Sequence, residues 1–169
     1  MPSRGKLWNS VMAEQAQDRK QVIVHIGPHK TGSTAMQQCL AANHSVLSQA
    51  GILFLHDHAT HDAAMLIARE DFETAEERLR AIATIISGAD AETVILSQED
   101  FCGDLPGRPQ RKAIYPRLTK NLRIIARAFS PHQVRFVFFE RDEDSWILSC
   151  YHQHLKHRTL FSTIEGFRA

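Results

Sequence analysis

The chain is short of most features that would set it apart from an ordinary globular domain. Its 169 residues include only three cysteines, Cys39, Cys102 and Cys150, an odd and widely spaced set. That excludes a disulfide-stapled scaffold and leaves reduced thiols in a cytoplasmic protein as the expectation, with Cys39 and Cys150 on core faces. No apolar run approaches the roughly 20 residues needed to span a bilayer, so no membrane contact is expected. The polar N-terminus has no signal-peptide core. Net charge is only +1, so neither a polyanion-coating surface nor nucleic-acid binding is expected. Internal repeats and low-complexity tracts are missing too. What is present is 43% hydrophobic and 23% charged content, ordinary for one domain with a real core.

Residues 1–20 read as a flexible N-terminal arm, with helical tendency around Trp8–Ala16, and residues 21–169 as one nucleotide-binding α/β domain. Residues 22–26 are β-branched apart from His25 and end at Gly27-Pro28, which suits a central strand. Further strands are expected at 52–55, 93–96 and 134–139. Helices are expected at 61–68, at 72–87 with Ala75, Leu79, Ile82 and Ile86 at helical spacing, and at 115–129. Residues 103–111, rich in Gly, Pro and Arg, read as a loop. A last helix is capped by Asp142 or Asp144, with Trp146, Ile147 and Cys150 sharing a face. Parallel strands joined by helices predict a three-layer α/β fold, P-loop-like, with a mainly parallel sheet.

The first strand leads into Gly27-Pro28-His29-Lys30-Thr31-Gly32-Ser33-Thr34 and then a helix. Its apolar positions Ala35, Met36, Cys39 and Leu40 are expected to face the core. A strand–loop–helix of this kind aims unsatisfied N–H groups and the positive end of the helix dipole at one point, a phosphate site. Lys30 adds a cation, and Ser33 and Thr34 add hydroxyls. A triphosphate P-loop carries its lysine directly after the second glycine. Here the lysine comes two residues before Gly32. The pattern resembles the 5′-phosphosulfate loop of sulfotransferases that use 3′-phosphoadenosine 5′-phosphosulfate (PAPS), especially bacterial and carbohydrate-type members with H-x-G-x-x-K-T-G-[ST]-[ST]. His25, Gly27, Lys30, Thr31, Gly32, Ser33 and Thr34 all match.

A second segment supports the resemblance. Arg141 ends the strand begun at Val134, and Ser149 follows eight positions later with Tyr151 beyond it. In that family this spacing holds the 3′-phosphate of the cofactor, and an arginine fork suits phosphate oxygens. Glu143 stands where the family often has proline. The resemblance implies PAPS as co-substrate, no metal, and transfer of a sulfonyl group to a hydroxyl or amine acceptor, with carbohydrates the first class expected. It implies that Lys30, Thr31, Gly32, Ser33, Thr34, Arg141 and Ser149 bind the cofactor and that Lys30 also acts in catalysis. Glu99, in Leu96-Ser97-Gln98-Glu99-Asp100-Phe101, resembles a family segment and is favoured as general base over His61. Residues 56–61 and 100–112 are expected to border the acceptor pocket.

Three rival or qualifying readings accompany these expectations. The histidine sets His56, His58, His61 and His152, His154, His157 share a spacing, but histidines rimming an anionic pocket are expected rather than a metal site. A P-loop kinase or NTPase would use Glu99 or Asp100 near magnesium, though the lysine is misplaced for it. Ser162 and Glu165 form a capping box just before the sequence stops at Ala169. The C-terminal part of the family fold is therefore expected to be missing, and a non-catalytic nucleotide-binding fragment that pairs with another chain is a third reading.

Overall fold

A computed structural model of the chain describes residues 19–107, 113–157 and 163–168. The expected helical tendency at 8–16, the Ser162 half of the capping box and part of the 103–111 loop lie outside the described residues. Four strands, β1 (Gln21–His25), β2 (Ile52–Leu55), β3 (Thr93–Ser97) and β4 (Gln133–Val137), form one sheet in the order β2-β3-β1-β4. Every pairing is parallel, with Val22 opposite Val94 and Val134. The expected mainly parallel α/β sheet is present, flanked by helices.

The pleat sends alternate residues to opposite faces. On one face Val22, Val24, Val94 and Leu96 are fully buried. They meet α3 (His58–Ala68), α4 (Phe72–Gly88) and α5 (Leu118–Ala128) in the main core. Helix α4 buries Ala75, Leu79, Ile82 and Ile86, the stripe its spacing predicts. Each of its three larger side chains contributes roughly 1.5–3 kcal/mol by leaving water. Helix α3 begins three residues before the expected start. Asp57 Oδ1 accepts from the Thr60 N–H at 2.9 Å, and Thr60 Oγ1 accepts from the Asp57 N–H at 3.1 Å, a reciprocal cap that the apolar pattern does not show. Helix α5 starts at Leu118 rather than 115 because Tyr115, at φ 46°, is left-handed.

Helix α1 (Ser33–Ala42) overturns its expected orientation. Ser33 and Gln37 are buried, while Ala35 and Cys39 are exposed. The reason lies underneath: the sheet end carries Ser97 and His25, and the Gln37 amide donates to Ser97 O at 3.2 Å and Ser97 Oγ at 3.0 Å. A polar floor selects the polar side of the helix. Of the thiols, Cys102 and Cys150 are buried, Cys39 is not, and all three are free.

Helix α2 (His44–Gln49) leads into β2. A 3₁₀ turn, Glu99–Cys102, follows β3, and α6 (Glu143–Lys156) and α7 (Ile164–Arg168) follow β4. Strand β4 ends at Val137, two residues short of expectation. Phe138 and Phe139 already belong to the connection, where the Phe139 N–H donates to Gly27 O at 3.0 Å. The connection after β1 heads past β3 to β2, and the one after β3 heads past β1 to β4. Their diverging starts open a crevice at the C-terminal edge of the sheet. Among the described residues, no helix is long and apolar enough to cross a membrane.

Candidate functional site

The loop after β1 turns sharply through three left-handed residues, Gly27 at φ 107°, Lys30 at φ 67° and Gly32 at φ 91°. Glycine meets that requirement without cost, whereas Lys30 gives up roughly 1 kcal/mol to adopt it. Gly27 is needed for space as well: a Cβ there would lie 3.3 Å from the Glu99 Cα. The Thr31 hydroxyl donates to Pro28 O at 2.7 Å and so closes the loop on itself. Helix α1 then starts with no side-chain cap, so the N–H groups of Ser33 and Thr34 and the helix dipole stay available at the crevice, while the Ala35 N–H donates to Gly32 O at 3.1 Å.

Helix α6 is fastened to this loop from the other side. Asp142 caps it by accepting from the Ser145 N–H at 3.0 Å. The Arg141 Nη1 donates to Lys30 O at 2.9 Å and its Nε to Ser145 Oγ at 3.1 Å. Trp146 Nε1 donates to His29 O at 2.7 Å. These contacts bring Ser149 to the crevice, and Gln153 one turn later accepts from Lys30 Nζ at 3.2 Å. Burial pushes the Cys150 thiol up to about 11 despite the nearby cations Lys30 and Arg141.

The opposite wall is acidic. Ser33 Oγ donates to Glu99 Oε1. The His29 N–H donates to the Tyr115 hydroxyl at 3.1 Å, leaving the phenolic hydrogen for His29 Nδ1 at 3.0 Å. His29 Nε2–H then donates to Asp100 Oδ1 at 3.2 Å. Burial pushes the Tyr115 phenol above its ordinary range, which keeps this donor protonated. Below the loop, His25 Nδ1 lies 2.8 Å from Ser97 Oγ, and burial lowers its pKa, with Glu99 pulling the other way.

These walls enclose a cleft of about 580 Å³. Of the residues expected to act, Lys30, Gly32, Ser33, Thr34, Glu99, Arg141 and Ser149 line it. Thr31 does not, because its hydroxyl is spent within the loop. His61 is exposed on α3 and is not part of the lining, nor are the other residues of 56–61. Tyr151 turns to the ring of Phe167 on α7, 5.5 Å away. Asp100 and Leu105 come from the expected 100–112 border, of which 108–112 lie outside the described residues. His154 and His157 rim the cleft as expected, and His152 is exposed elsewhere. His29 and Gln153 were not legible as site residues. His29 lies inside the loop motif, which was a usable signal, whereas Gln153 had none. Among the described residues, no group of three His, Cys, Asp or Glu could hold a metal ion.

No protein-family model, curated protein or solved structure matches the chain. The cleft sets Lys30, Ser33, Thr34, Arg141 and Ser149 against the carboxylates of Glu99 and Asp100.

Proposed function

We propose that the chain binds PAPS in this cleft and transfers its sulfonyl group to a hydroxyl or amine acceptor, on a P-loop-like fold. The observation that carries the reading is the convergence of two separate phosphate-type motifs. Lys30 comes from the β1–α1 loop, Ser33 and Thr34 from the first turn of α1, Arg141 from the segment just before α6 and Ser149 from α6 itself, and one cleft receives them all. Arg141 even touches the carbonyl of Lys30. A ligand with phosphate groups at two points of one nucleoside fits such a pair better than a ligand with a single phosphate chain.

In the reaction the acceptor oxygen or nitrogen attacks sulfur in line. The new bond to sulfur forms as the bond from sulfur to the bridging oxygen breaks, and that electron pair stays on the 5′-phosphate. The products are the sulfonated acceptor and 3′,5′-bisphosphoadenosine. Lys30 neutralises charge growing on the bridging oxygen, and the α1 N-terminus holds the 5′-phosphate. Glu99 takes the acceptor proton. Its place in the cleft, against the exposed position of His61 outside it, favours Glu99 as the base. A carbohydrate is the favoured acceptor, because Asp100, His154 and His157 offer polar partners at the rim.

Calorimetry without metal tests the donor assignment. The chain is expected to bind 3′,5′-bisphosphoadenosine in EDTA. Binding of ATP only with magnesium, with no affinity for the bisphosphate, would instead mark a triphosphate site.

A further inference from the structure

We propose that Glu99 selects the donor by charge, admitting a singly charged sulfonyl end and rejecting a doubly charged phosphoryl end. The inference rests on the donor reading above and adds a selectivity which that reading does not contain.

Glu99 is pressed into the mouth of the loop. Its backbone leaves so little room that a Cβ on Gly27 would lie 3.3 Å from its Cα. Its carboxylate takes the hydrogen of the Ser33 hydroxyl, and Ser33 is itself 3% exposed. Ser33 occupies the position after Gly32, where triphosphate loops place a lysine. This chain therefore presents a carboxylate-bound hydroxyl where those loops present a cation. Lys30 Nζ is occupied by the neutral amide of Gln153, and among the described residues no lysine or arginine is paired with Glu99. Its carboxylate thus sits beside that loop without a paired cation among the described residues, and Asp100 extends the same wall.

One hydroxyl hydrogen cannot serve two acceptors. A ligand oxygen that reaches Ser33 competes with Glu99 for it, and each further negative charge on that ligand end adds repulsion in a partly desolvated cleft. Sulfonyl and phosphoryl ends are both tetrahedral and close in size, so shape separates them poorly. They differ in charge: a terminal sulfonyl carries one negative charge, a terminal phosphoryl about −1.5 to −2 near neutral pH. A fixed carboxylate at this point discriminates on that difference.

The test is calorimetric titration, in EDTA, of PAPS and of 3′-phosphoadenosine 5′-diphosphate, with 3′,5′-bisphosphoadenosine as reference. The wild type is expected to favour PAPS over the diphosphate by about tenfold or more. Glu99→Gln should shrink that preference to within about threefold, chiefly by tightening the diphosphate. Glu99→Asp should retain most of it, because the charge stays. Glu99→Ala carries the same expectation as Glu99→Gln if the latter fails to fold. A wild type without preference, a preference untouched by removing the charge, or Glu99→Asp behaving like Glu99→Gln would overturn the proposal. Failure of the wild type to bind the reference bisphosphate would overturn the donor reading and this one with it. Bound reference with no charge preference would overturn this one alone.

Discussion

Arg141→Ala separates a 3′-phosphate contact from a merely structural arginine. The guanidinium has five N–H donors, of which one goes to Lys30 O at 2.9 Å and one to Ser145 Oγ at 3.1 Å. The rest remain for a ligand in the cleft that the side chain lines. Arg141 is exposed, so solvent screens whatever it binds. Charged hydrogen bonds of this kind are worth roughly 1.5–3 kcal/mol, or about 10- to 150-fold in affinity. The substitution also unties Lys30 O, which loosens the β1–α1 loop by roughly 0.5–1.5 kcal/mol for any nucleotide. Adenosine 5′-phosphate should therefore weaken by no more than about tenfold. The 3′,5′-bisphosphate should weaken by that factor multiplied by the further loss, so the preference between the two nucleotides collapses. Calorimetry of both ligands on wild type and variant reads this directly. Equal affinity of the wild type for both, or equal losses in the variant, would refute the 3′-phosphate role.

Lys30→Ala should still bind the bisphosphate, because the loop's backbone donors remain, while transfer from radiolabelled PAPS falls about 10²–10³-fold further than affinity; equal losses would make Lys30 a binding residue only. Tyr115→Phe leaves the His29 N–H and Nδ1 without their hydroxyl partner. It should lower stability to urea by about 1–3 kcal/mol, and an unchanged midpoint would show that the network carries no stability. Burial lowers the folded pKa of His25 below its usual 6.5, so the unfolded chain takes up the proton first as pH falls. The His25 contribution is thus fully present above about pH 6.5 and lost as pH drops toward the folded value. Urea unfolding at several pH values should show a steeper loss for the wild type than for His25→Asn, and parallel curves would contradict it.

What the sequence makes legible follows from how locally each feature is encoded. Helix α4 is readable because Ala75, Leu79, Ile82 and Ile86 repeat at helical spacing over a purely apolar neighbour. Helix α1 misleads for the opposite reason. Its apolar stripe is real, yet the surface it covers is the polar pair His25 and Ser97, and only the tertiary register of β1 against β3 reveals that floor. The sharp turn after β1 is legible from Gly27 and Gly32, because their left-handed backbone favours glycine. Arg141, just before α6, and Ser149, within it, reach one cleft, and the eight-position spacing between them is visible in the sequence. His61 ranks behind Glu99 in the sequence although each follows a strand, and the structure separates them further: α3 starts at the Asp57 cap and His61 lies outside the cleft. Gln153 meets Lys30 across 123 positions, a contact with no local signature.

Whether one nucleotide bridges the two motifs is read from a crystal structure of the chain with 3′,5′-bisphosphoadenosine. The expected density places the 5′-phosphate against the N–H groups of residues 30–34, with Lys30 released from Gln153, and the 3′-phosphate against Arg141 and Ser149. A nucleotide bound elsewhere, or one whose phosphates leave Arg141 and Ser149 untouched, would contradict the account.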